Sequence, residues 1–320
     1  MEQPGTTGAA LILLICLVPL FSVMPRSASS PEYQTPQAQQ SDQDALRLNA
    51  DLVVLHATVQ TSKHVLVSGL HKEDFQVYED GVLQQIDSFS HEDIPVTVGL
   101  VIDNSGSMRP KRAEVIAAAL AFAQSSNVDD QIFVINFNEN VSSGLPPGMA
   151  FTDKVDQLDV ALSRIEANGK TALYDAVAGA VEYLNKGNRD KKVLIVISDG
   201  ADNASRHNLA QVMTILKESE AIIYTIALFD EGDPDQHHGV LKQLARVTGG
   251  EAFLPESVKE AVPICERIAR DIRNQYTITY SPRNIKYDGK YRVIQVKAVA
   301  PGRRGLTVRT RAGYTAPLKP

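Results

Sequence analysis

The sequence predicts an α/β protein: a doubly wound, mostly parallel sheet inserted in a small antiparallel β-sandwich made from both chain ends. Three observations predict it. Val96 to Ile102 is a nearly continuous apolar run, the pattern of a strand buried on both faces at the centre of a parallel sheet. Beyond it, apolar runs at 131–137, 193–197 and 222–227 alternate with helical stripes. Strand–helix–strand repetition means parallel strands joined by right-handed crossovers. On either side of this block lie short segments of period-two alternation, the mark of half-buried antiparallel strands.

At the N-terminus, Ala9 to Phe21 is an apolar run of signal-peptide length, short for a spanning helix. Small residues follow at Ser27-Ala28-Ser29-Ser30, placing cleavage after Ser29, but only Glu2 and no Lys or Arg precedes the run. Residues 1–29 therefore read as a signal peptide or an N-terminal anchor. Export is expected, with the protein secreted, periplasmic or envelope-anchored. Residues 30–48, rich in Gln, Ser and Pro, read as a flexible linker.

Residues 49–92 carry the first alternating strands: Leu52 to Val59, His64 to Val67, Phe75 to Tyr78, and Val82 to Ile86 with Phe89 after the Glu79-Asp80-Gly81 turn. These are too few for a stable domain. The missing strands are expected in residues 274–316, where Gln275–Tyr280, Tyr291–Val299 and Leu306–Arg311 alternate in the same way. Residues 95–273 form the inserted unit. Its helices are expected at 112–123, 155–165, 172–184, 209–218, 240–247 and 258–272, with a short edge strand at Ala252-Phe253.

The chemistry gathers where the central strand stops. Asp103-Asn104-Ser105-Gly106-Ser107 places one carboxylate and two hydroxyls in a tight turn at the carboxyl end of a strand, where open α/β sheets bind ligands. Such oxygens suit a hard divalent cation; they equally suit capping of the next helix. Two further stretches share the character. Asn168-Gly169-Lys170-Thr171 is a Gly-led turn entering a helix, and Ser198-Asp199-Gly200 ends another buried strand.

In that order, a strand-end D-x-S-x-S, a loop Thr and a second strand-end Asp-Gly resemble the von Willebrand factor A-type domain and its metal-ion-dependent adhesion site. The resemblance spans roughly Pro95 to Arg273. It implies that Ser105, Ser107 and Thr171 hold the metal through hydroxyls, while Asp103 and Asp199 act directly or through water. The cofactor so implied is Mg2+, or Mn2+ or Ca2+. With few charges on the metal, its open position favours an Asp or Glu carboxylate from a protein ligand, with the loops around Asn138-Glu139-Asn140 and Asp230-Glu231 judging what surrounds it. LVVLHATVQ, GLHKEDFQVYEDG, RNQYTITYSP and RTRAGY together with the central motif also resemble the acidobacterial VWFA-related domain family. That likeness implies a secreted or envelope bacterial protein, and names no ligand.

Other features point elsewhere or nowhere. The loop Asp230 to His238 lacks the glycine spacing and terminal Glu of an EF-hand and reads as a solvated loop. Asp202 and Asn203 hold a second ion or cap the following helix. Asp103-Asn104-Ser105-Gly106 has no His-Gly helix start and nucleophile Ser to complete a subtilisin-like triad, and the chain has no P-loop and no G-x-G-x-x-G. Cys265 falls at helical spacing with apolar neighbours and reads as a buried structural thiol.

The formal net charge of -6 excludes a general attraction for nucleic acid. From Arg267 onward, however, thirteen Lys or Arg face only Asp271 and Asp288. This basic segment lies against the acidic remainder, is solvated, or binds an anionic surface such as the envelope. The expected function is a metal-dependent protein-binding or adhesion module and not an enzyme. A metal-dependent hydrolase and a structural envelope protein are the alternatives. The hydrolase needs a general base near the ion, and no His occurs in the three site segments.

Overall fold

In the computed structural model, the described residues are 52–229 and 238–318. The proposed signal or anchor, the linker and the loop 230–237 lie outside them. In chain order the strands and helices are β1 (Val53–Gln60), β2 (Phe75–Glu79), β3 (Val82–Gln84), β4 (Ser88–Ser90), β5 (Val96–Asp103), α1 (Arg112–Gln124), β6 (Gln131–Phe137), β7 (Val141–Ser143), α2 (Val155–Ser163), α3 (Leu173–Leu184), β8 (Lys191–Ser198), α4 (Leu209–Glu218), β9 (Ile222–Ala227), α5 (His238–Thr248), β10 (Ala252–Phe253), α6 (Ala261–Arg273), β11 (Tyr276–Tyr280), β12 (Tyr291–Ala298), β13 (Thr307–Arg309) and β14 (Gly313–Thr315).

The apolar run at β5 becomes the centre of a sheet ordered β10-β9-β8-β5-β6-β7. All of its pairings are parallel except the edge strand β7, which runs antiparallel to β6. Every residue of β5 is buried, as its lack of alternation requires. The helices form two layers: α2 and α6 pack on α1, and α4 packs between α3 and α5. Gly99 has a specific role within β5, because a Cβ there would collide with the Phe133 ring and Leu194 from the two neighbouring strands.

Both chain ends meet in the sandwich. One sheet is ordered β13-β1-β11-β4 and the other β14-β12-β2-β3. Thus β1, before the parallel-sheet unit, pairs along its length with β11 and β13, after it. A second core fills the space between these sheets, with Leu55, Val77 and Ile278 fully buried and Phe75, Phe89 and Tyr276 in mutual ring contact.

Within residues 49–92, two details differ from the sequence expectation. His64 to Val67 does not form a strand. Thr61 N–H donates to the Val65 carbonyl, His64 adopts a φ of 58°, and only the Gln60–Leu66 bridge remains. The run from Val82 to Phe89 splits into β3 and β4, which belong to different sheets.

The sandwich and the parallel-sheet unit are joined by buried polar groups. Asp271 near the end of α6 is 2% exposed, and its Oδ2 accepts from Arg309 of β13 at 2.5 Å and from Tyr224 of β9 at 2.9 Å. Gln275 donates to both Thr58 and Tyr224. Gly249 (φ 83°) lets the chain at Thr310–Arg311 close on α5, where any Cβ would strike that backbone, and Ala312 N–H donates to the Val247 carbonyl at 3.1 Å. Among the described residues, no helix is long and apolar enough to cross a membrane.

Candidate metal centre

Because β5 and β8 are adjacent and parallel, their carboxyl ends deliver Asp103 and Asp199 side by side. Both are nearly inaccessible to solvent, as is Ser105. Asp103 Oδ1 accepts the Ser105 N–H at 2.8 Å, folding the turn, and its Oδ2 accepts the Ser198 hydroxyl at 2.6 Å. The Ser105 and Ser107 hydroxyls lie 3.1 Å apart, and Ser107 Oγ donates to Asp199. Asp103, Ser105, Ser107 and Asp199 therefore form one connected cluster. These hydroxyls are not spent on capping: Ser105 precedes the short helical turn 106–111 without a side-chain cap, and α1 begins without one.

Thr171 reaches the same place through its backbone. Asn168 N–H donates to the Asn104 carbonyl at 2.9 Å, and Gly106 N–H donates to the Gly169 carbonyl at 3.1 Å, so the Thr loop is zipped to the first turn. Thr171 N–H donates to Asn203 Oδ1 and its carbonyl accepts from Asn203 and Ala204, at 2.9 to 3.0 Å. Its hydroxyl is left outside the hydrogen bonding among the described residues.

The electrostatics are unbalanced. Burial, and then the neighbouring Asp199 charge, push Asp103 up to about 6 despite hydrogen bonds from Ser198 and Ser105. Nearby guanidinium groups face other acceptors: Arg109 donates to the Ala167 carbonyl, and Arg112 to Asn104 Oδ1 and the Ser163 carbonyl. Two adjacent buried carboxylates with hydroxyl neighbours form an oxygen-only donor set that fits a hard divalent cation. No cluster of three or more His, Cys, Asp or Glu with metal-holding geometry occurs among the described residues, so the hydroxyls are needed to complete such a site.

Several supporting residues are placed by tertiary contacts the sequence does not display. Asn104, a variable slot by motif, is buried and bonds Asn136 and the Ile102 carbonyl while accepting from Arg112. Ser198 ties Asp103 to the Gly200 backbone. Glu139 accepts the Lys170 N–H at 2.9 Å, and a Cβ on Gly169 would overlap that carboxylate. Asp202 caps a helix other than the one that follows it. It accepts from Tyr174 N–H at the start of α3, whereas α4 is capped by Asn208. His207, from the loop after Asp199, places Nδ1 2.6 Å from Asp175. The Ser-Asp-Gly-Ala-Asp-Asn spacing was the available signal for Asn203 and Asp202; nothing local marks the His207 partnership.

Comparison with known proteins bears on the fold that carries these residues. Residues 98–201 match the von Willebrand factor type A domain. The uncharacterized protein sll0103 of Synechocystis sp. is 22% identical over 57% of this chain and 42% of its own. An inter-alpha-trypsin inhibitor heavy chain of Mus musculus is 28% identical over 50% of this chain and 18% of its own. The chain thus spans less than half the length of these relatives. The solved von Willebrand factor type A structure from Catenulispora acidiphila shares the fold at 15% identity, with a TM-score of 0.50 over 83% of this chain and 74% of that one. Within the chain, the stretch 98–201 is thus a von Willebrand factor type A domain.

Proposed function

We propose that the protein is an exported, envelope-associated binding module that holds Mg2+ or Mn2+ at Ser105, Ser107 and Thr171, with Asp103 and Asp199, and captures a protein partner through an acidic side chain. The observation that carries this reading is the convergence of two buried carboxylates and two serine hydroxyls with the Thr171 loop stitched over them. A bound cation supplies a Lewis-acidic position for a carboxylate ligand. The chain's own residues do the remaining work. Ser198 and Ser105 N–H hold the Asp103 carboxylate in place, and the Asn203 contacts fix the Thr171 loop. Glu139 and Asn138 tie the β6–β7 loop to the same rim.

A binding role is favoured over hydrolysis because the three segments that supply Asp103, Ser105, Ser107, Thr171 and Asp199 contain no His to serve as a general base. His207, further along the loop after Asp199, donates its backbone N–H to Asp175 and places Nδ1 2.6 Å from the same carboxylate, which braces that loop against α3. The test is capture of partners from envelope extract on immobilised full-length protein. Capture should vanish in EDTA, return with Mg2+ or Mn2+, and fall at least tenfold in Ser105→Ala, equivalent to about 1.4 kcal/mol or more. A partner held equally well in EDTA would remove the cation from the interface.

A further inference from the structure

A second site-like feature lies at the other end of the parallel strands. The junction between sandwich and parallel-sheet unit contains a cavity of about 580 Å³. It sits where the chain enters β8 and β9, whereas Asp103 and Asp199 sit at the strands' carboxyl ends. The volume is that of a small-molecule pocket, and clefts between folded units are a common place for one.

Its walls come from three parts of the molecule. One is the outer face of β1 and β11, where His56 and Thr277 are register partners beside Val54. The second is formed by the segments leading into β8 and β9 together with the starts of those strands, Lys192 and Ile222. The third is Arg311, between β13 and β14, with Val247 of α5. Apolar surface from Val54, Leu216, Ile222 and Val247 thus lies on one part of a lining in which polar side chains are the majority.

Those polar groups favour an anion. Arg311 donates from Nε to the Gly313 carbonyl at 2.9 Å and from Nη2 to the Lys217 carbonyl at 3.5 Å, leaving Nη1 uncommitted. Arg189, Lys192 and Arg311 in the lining outnumber Asp190 and Glu220, with Arg189 held by the Asp129 carbonyl, Lys192 by Asn185, and Arg311 within the field of Glu220. The His56 imidazole uses Nδ1 on the Thr277 hydroxyl at 3.3 Å. Burial, followed by the charges of Lys191 and Arg311, holds His56 down to about 3, so the wall facing the cavity is neutral imidazole in a positive field.

We propose that this junction cavity binds a small amphipathic carboxylate, with the acid group on Arg311 and the apolar body against Val54, Leu216 and Ile222. Such a ligand would touch the sandwich and the parallel-sheet unit at once. The site is independent of the cation reading, so it is tested with EDTA present, where a carboxylate cannot seat on a metal.

The probes are hexanoate and the uncharged hexanamide, read by thermal shift and calorimetry on the full chain. Hexanoate should raise Tm saturably and bind at least tenfold more tightly than hexanamide, a difference of about 1.4 kcal/mol. Arg311→Gln should erase that preference. Val54→Trp, at a position 36% exposed, fills the cavity and should abolish binding without unfolding the protein. If Arg311→Gln fails to fold, Val54→Trp and the hexanamide comparison still decide. Equal affinity for the two probes, an unchanged response in Val54→Trp, or no response to hexanoate up to about 10 mM would overturn the proposal.

Discussion

Strand β8 begins at Lys191 and ends beside Asp199, and its two ends solve opposite electrostatic problems. At the amino end, Lys191 is 1% exposed and donates to the Ile272 carbonyl at 2.7 Å, within the fields of Asp93, Asp271 and Asp130. Arg309, Asp271, Glu251 and Arg267 form an alternating cluster of ion pairs close by. At the carboxyl end, Asp103 and Asp199 face each other with hydroxyls between them. Compensated buried charge fixes one element against another. Two like buried charges leave an unmet demand for a cation, and that demand separates a candidate site from a structural seam.

The comparison can be broken at the seam first. Deleting residues 276–320 removes both partners of β1, β11 and β13, and exposes the buried face carrying Leu55, Ala57 and Val59. The truncated chain should aggregate or be rapidly clipped between residues 52 and 90, as judged by limited proteolysis and light scattering. A soluble, protease-resistant truncation would show that the sandwich does not depend on its C-terminal strands.

A smaller cut is Arg309→Ala. It removes the guanidinium partner of Asp271, which is 2% exposed and keeps its Tyr224 hydrogen bond, and should cost about 3–5 kcal/mol in urea unfolding. Loss of under about 1 kcal/mol would class the pair with surface ion pairs.

Smaller again is a pH effect at Lys191. Desolvation depresses its folded-state value from 10.5 to about 8, partly offset by Asp93, Asp271 and Asp130. In that window the unfolded chain binds more protons, so stability rises with pH. The contribution is fully present above 10.5 and is lost as pH falls through 8. Between pH 8 and 10.5, wild-type stability should therefore rise relative to Lys191→Met by up to about 3 kcal/mol. Parallel pH profiles of the two proteins would remove desolvated Lys191 from the account.

Much of the fold was legible because pattern and burial coincide. The unbroken apolar run at β5 could be buried only on both faces, and the helical stripe at α4 coincides with Leu209–Glu218. Strand β7 was not legible, since Val141-Ser142-Ser143 carries no strand signal apart from its pairing with β6. Lys191 reads as surface charge beside Asp190 and Lys192, and only the packing of α6 over it explains its burial. The basic C-terminal segment was ambiguous by composition. In the fold Arg267 and Arg309 pair with Glu251, and Arg273 pairs with Asp93, so these three arginines meet acidic residues outside the segment. At the candidate metal centre the five motif residues stood out through the family resemblance that their motifs carry. Ser198, Asn203 and Glu139 act through contacts across 30 or more residues, which no local pattern records.

The central claim is that Asp103, Ser105, Ser107, Thr171 and Asp199 constitute a divalent-cation site. The most direct measurement is calorimetric titration of Mg2+ and Mn2+ into metal-free wild-type protein and Asp103→Ala, with melting curves on the same samples. The account predicts saturable binding at one site and about 2.7 kcal/mol of added stability at hundredfold excess over Kd. Both should be lost in Asp103→Ala, with the fold retained. Binding and stabilisation of equal size in Asp103→Ala would contradict it.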